Sequence, residues 1–134
     1  MTEFNFEKLE VYQKALRFVD NCFNICDALD YKLQSSVGDQ LRRSSLSIAN
    51  NIAEGSDKRS AKDKKKFYAY SLDSARECIP VFTVLGMRKI ISAEQEGKLR
   101  ENCAIICKML NEAHPGLSPG FLSGILQILL SSPA

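Results

Sequence analysis

The stretch QLRRSSLSIANNIAEGSDKRSAKDKKKF, residues 40–67, reads as the end of one amphipathic helix, a polar turn and the basic start of another. In its first half Leu41, Ser45, Ile48 and Ile52 continue a stripe that opens at Val37, at the spacing of three and four that keeps one residue per turn on the same face. Ser36, with Asp39 three positions on, predicts a capping pair at the start, and Gly55 predicts a C-terminal cap. In its second half Ser60, followed by Asp63, restarts a helix whose stripe is Phe67, Tyr70, Ser74, Cys78, Val81 and Leu85. Two such helices joined by a short turn form an antiparallel hairpin, the repeating unit of a helical bundle.

The same period extends to either side. Leu9, Tyr12, Leu16, Val19, Phe23 and Cys26 predict a first helix over about residues 7–29. Ser92 with Gln95 caps a last helix, with stripe Leu99, Cys103, Ile106, Leu110 and Ala113, which Pro115 and Gly116 end. Pro80 sits within the third helix, where it removes one N–H bond and crowds the carbonyl of Arg76, so a kink or a break is expected there. No segment alternates at period two. The prediction is an all-α, antiparallel up-and-down four-helix bundle over residues 1–113. Residues 114–134 form a separate tail, in which seven of the ten residues 121–130 are large and apolar. A short helix packed on the bundle or on a neighbouring subunit would remove that surface from water.

Composition narrows the function. In 134 residues, 18 basic and 16 acidic side chains leave a net charge of +2, which by itself does not announce a polyanion binder. The distribution does more: residues 38–66 hold eight basic and four acidic side chains, whereas residues 67–134 hold six of each. Five cysteines behind an acidic, non-signal-like N-terminus point to reduced thiols in the cytoplasm, and no apolar run is long enough to cross a bilayer. Cys22 with Cys26, and Cys103 with Cys107, each lie one helical turn apart; because Cys26 and Cys103 fall on core stripes, they read as buried small hydrophobes rather than metal ligands. His114 is the only histidine and stands at a helix end with no nucleophile beside it in sequence. With no glycine-rich phosphate loop either, the reading is a non-enzyme without cofactor or metal.

One feature departs from an ordinary solvated surface. Lys58, Arg59, Lys62, Lys64, Lys65 and Lys66 put six cations into nine residues at a turn and a helix start, where the helix dipole disfavours positive charge. The cluster is either a lysine-rich solvated turn or a phosphate-binding surface. In the second reading Arg42 and Arg43 add bidentate contacts, and Tyr68 and Tyr70 stack on unpaired bases.

Gln40 to Arg43, Ser47 with Ile48, the run Asn51-Ile-Ala-Glu-Gly55, and Lys66 with Phe67 resemble, in the same order, the signature of the ribosomal-RNA intervening-sequence proteins. The opening FEKLEVYQKA is similar to the start of that family, with Tyr12 at a position where an aromatic residue is usual, and the resemblance covers about residues 4–113. Asp73, Ser74 and Glu77 depart from a Gly-Ser pair followed by Glu, and the apolar tail has no counterpart. The resemblance implies a four-helix bundle without known catalysis that assembles into homo-oligomeric rings, commonly pentamers. It also implies kinship with the accessory proteins of diversity-generating retroelements, whose partners are nucleic acid and a reverse transcriptase. Asn50, Asn51 and Glu54, beside the apolar stripe, are expected to be buried polar groups that either organise the turn at Gly55 or bond to Arg42 or Arg43 of a neighbour. On the first option, Glu54→Ala lowers the melting temperature. The resulting expectation is RNA or DNA binding through the basic region, the alternative being a protein-interaction scaffold that uses the tail.

Overall fold

A computed structural model of the chain describes residues 1–117 together with 120, 123 and 124. Apart from residues 123 and 124, the stretch 121–130 and its expected tail helix lie outside the described residues. A 3-10 turn at Asn5–Lys8 leads into α1 (Glu10–Asp27). A helical turn at Tyr31–Leu33 and a π-turn at Gln34–Gly38 then run directly into α2 (Asp39–Ser56), and α3 (Ala61–Met87) and α4 (Ala93–Ala113) follow. Short connections make successive helices antiparallel, and α1 packs on both α2 and α4 to close the four-helix bundle.

Two predicted caps hold and two do not. Ser60 Oγ accepts the Asp63 amide at 3.1 Å, and Ser92 with Gln95 forms a reciprocal capping box. Ser36 does not cap α2: its hydroxyl donates to Leu33 O, because the chain is already helical before Asp39 and the first amides of α2 need no side-chain acceptor. Gly55 is not a C-terminal cap either. It lies inside α2, which ends at Ser56 with Asp57 in the right-handed region. An added Cβ at Gly55 would stand 2.7 Å from the ring of Tyr68, so this glycine exists for close approach of α3. At Pro80 no break occurs, and α3 runs unbroken through it for 27 residues.

The α2–α3 seam is the most extensive in the molecule and is built from small residues. Ser44, Ala49, Gly55, Ser71, Ser74 and Ala75 are all buried there, and their hydroxyls bond across the seam. Ser71 Oγ donates to Ile48 O at 2.9 Å and Ser74 Oγ to Ser47 Oγ at 2.8 Å. Small side chains let the helix backbones approach, and each buried hydroxyl keeps a partner.

In α1 the buried side chains are Ala15, Phe18, Val19, Cys22 and Cys26. Val19 and Cys26 of the predicted stripe are among them, but the core face is rotated by about one residue from the rest: Leu16 is 41 % exposed, and Tyr12 and Phe23 pack only partly against the core.

 The half-buried pair Tyr12 and Phe23 thus borders the core rather than filling it.

All five cysteines are free and buried, Cys26, Cys78 and Cys103 on the predicted stripes and Cys22 and Cys107 one turn from two of them. Burial pushes the thiols of Cys22 and Cys26 upward and that of Cys78 up to about 12, while Cys103 is raised by its hydrogen bond with Cys107 and by burial. A thiol whose folded pKa is raised contributes stability that is fully present below its ordinary value near 9 and is lost as pH rises through the folded value. The melting temperature is therefore expected to hold between pH 7 and about 9 and to fall steadily toward pH 12. Thermal melts across that range check this, and a thiol reagent at pH 8 should label all five cysteines only after unfolding.

Candidate nucleic-acid interface

The turn between α2 and α3 gathers the basic segment at one end of the bundle. Not all six cations are equally available. Lys64 Nζ donates to Ser56 O at 2.8 Å and so satisfies a carbonyl at the end of α2. Lys58 pairs with Glu54 at 3.5 Å and lies 5.0 Å from the centre of the Phe67 ring, with Lys66 on the same ring at 5.7 Å. Arg59, Lys62 and Lys65 are exposed and make no ion pair among the described residues. Together with Lys66 they are the cations open to a phosphate.

Arg42 and Arg43 do not join them. They occupy the first turn and a half of α2, whereas the basic turn follows its last, roughly 20 Å away along the axis. Arg43 is exposed, but Arg42 is half-buried and already engaged by neighbouring side chains. Its guanidinium donates to Gln34 Oε1 at 2.7 Å and to Asp27 at 3.2 Å, and reaches Asp39 at 3.5 Å. The Gln34 amide in turn donates to Cys26 O and Leu29 O, closing the end of α1. Arg42 is thus a positioning residue that ties α1 to α2 across the π-turn. Nothing in the basic pattern signals this, since Gln34 and Asp27 lie eight and fifteen residues away.

The aromatic pair separates in the same way. Tyr68 is 7 % exposed, packed over Gly55 with its ring edge-on to His114 at 5.0 Å between centroids, so it cannot stack on a base. Tyr70 is 43 % exposed and meets Phe67 edge-on at 5.7 Å, beside Lys58 and Lys66. Of the two tyrosines, Tyr70 is the one that keeps an exposed ring.

The expected burial of Asn50, Asn51 and Glu54 holds only in part. Asn51 is half-buried and its amide donates to Ser47 O at 2.9 Å and to Ser47 Oγ, which also accepts from Ser74, so it extends the α2–α3 hydroxyl seam. Asn50 and Glu54 are exposed, because they fall on the outer face of α2. Among the described residues Glu54 keeps a surface pair with Lys58, so Glu54→Ala is expected to change stability by less than about 0.5 kcal/mol in a denaturant melt, too little for the lowered melting temperature expected of a turn organiser.

Fold and site together define a helical-bundle protein with a basic end, in which no three His, Cys, Asp or Glu side chains gather to hold a metal ion among the described residues. A family model described as 23S rRNA-intervening sequence protein matches residues 7–112, and the chain belongs to that family. The comparison with curated proteins finds no match. No helix among the described residues is long and apolar enough to cross a membrane.

Proposed function

We propose that this protein is a non-enzymatic nucleic-acid-binding or accessory protein that grips the phosphates of RNA or DNA with the α2–α3 turn. The observation that carries the reading is the set Arg59, Lys62, Lys65 and Lys66, gathered at one turn with three of the four lacking any ion pair or ring contact among the described residues. Exposed Tyr70 beside them offers a face for an unpaired base. A homo-oligomeric ring, a pentamer by resemblance, would repeat this end around an axis and multiply weak contacts. Exposed Leu16 and Leu46 supply apolar surface for such assembly. A reverse transcriptase as protein partner and a cytoplasmic location complete the proposal.

Fluorescence anisotropy with labelled single-stranded and hairpin RNA, at several salt concentrations, tests it. The variant carries Arg59→Gln, Lys62→Gln, Lys65→Gln and Lys66→Gln and spares Lys64, whose loss would uncap α2. Binding is expected to weaken steeply with salt, and the variant to lose about 0.7 units of log–log slope for each phosphate contact removed. Binding that ignores both salt and the four substitutions overturns the reading.

A further inference from the structure

A second polar surface lies away from the basic turn, along the seam of α1 and α4. Two adjoining cavities of about 170 and 260 Å³ open there and share Asn21 and Asn102. One wall is a single stripe of α1: Lys14, Arg17, Asn21 and Asn24. The facing wall on α4 carries Gln95, Lys98 and Asn102. Phe18, Ile25, Leu99 and Ile106 form an apolar floor between them.

The composition of these walls is unusual for a helix seam. Flanking positions of packed helices commonly pair Glu with Lys across the interface. Here neither wall contributes an acid, and Lys14, Arg17 and Lys98 make no ion pair among the described residues. Asp20 and Glu101 stand on the same helices but do not line the cavities. The side-chain amides of Asn21, Asn24 and Asn102 likewise form no hydrogen bond among the described residues, and each can donate and accept at once. Successive turns place these groups about 5–6 Å apart, close to the roughly 6.6 Å between same-face residues of an extended chain.

We infer that this groove binds an extended acidic segment of a partner protein. Its amides meet the main chain, its three cations meet carboxylates, and the half-buried Ile25 and Ile105 take an apolar side chain. A nucleic-acid strand suits it less, because the only ring lining it, Phe18, is 1 % exposed and offers no face for a base.

The test uses the full chain and a fluorescein-labelled eight-residue peptide alternating glutamate and leucine, with a lysine–leucine peptide and labelled oligouridylate as controls. Saturable binding of the acidic peptide is expected at low salt. Arg17→Glu with Lys98→Glu should weaken it about tenfold or more, and the milder Arg17→Gln with Lys98→Gln should weaken it in the same direction, with helicity unchanged by circular dichroism. The α2–α3 turn variant should bind the peptide as the parent does, which separates this site from the proposed nucleic-acid surface. No saturable binding, peptide affinity that follows the turn variant instead, or oligouridylate affinity lost in the groove variant would each overturn the assignment.

Discussion

Phe18→Ala is expected to cost about 3–5 kcal/mol, whereas Leu16→Ala, two positions away, is expected to cost less than about 0.5 kcal/mol in monomer stability. Phe18 is 1 % exposed and meets Phe82 of α3 edge-on at 6.0 Å, so its removal leaves a cavity at the centre of the bundle that neighbouring helices cannot fill without shifting. Leu16 points away from that cavity and is 41 % exposed. Urea melts of the two variants give the comparison directly. Light scattering on Leu16→Ala adds a second readout: a smaller particle with an unchanged monomer fold would place Leu16 in a subunit contact. Equal costs for the two substitutions would mean that α1 is rotated from the arrangement described.

That rotation explains where the sequence could be read and where it could not. The period of α1 is plain, but the helix carries two apolar stripes side by side, Ala15, Phe18 and Cys22 on the core and Tyr12, Leu16 and Phe23 at its border. Periodicity reports that a face is apolar without reporting what covers it, so the border stripe was as legible as the core. In α2 there is one stripe, and Leu41, Ser45, Ile48 and Ile52 are all buried as spaced. Capping by Ser60 and Ser92 was legible because each cap closes within four residues. Arg42 was not, because its role depends on a π-turn and on Asp27, which only the fold brings near. The basic turn was visible as composition, yet the division of labour within it came from contacts: Lys64 on a carbonyl, Lys58 and Lys66 on a ring, Arg59, Lys62 and Lys65 in solvent.

Gly55→Ala is expected to destabilise the protein by about 1–3 kcal/mol, and Gly55→Val by more, although alanine normally improves a helix by about 1 kcal/mol over glycine. The new Cβ would stand 2.7 Å from two carbons of the Tyr68 ring and 3.2 Å from Phe67 Cβ. The ring has little room to yield, since it is buried and held edge-on against His114 on another side. Gly97 supplies the contrast: it lies in α4, a Cβ there meets nothing within 4 Å, and Gly97→Ala is expected to gain about 0.5–1 kcal/mol. Opposite signs for one chemical change at two helical glycines cannot come from propensity, so the difference measures close approach of α2 and α3. The double substitution Gly55→Ala with Tyr68→Ala isolates the cause. With the ring gone, the methyl group should no longer destabilise and should recover the ordinary helix gain, giving a coupling of about 2–4 kcal/mol between the two sites. A penalty at Gly55 that persists without the ring would instead assign it to the backbone at the end of α2, the C-terminal-cap reading that the sequence suggested.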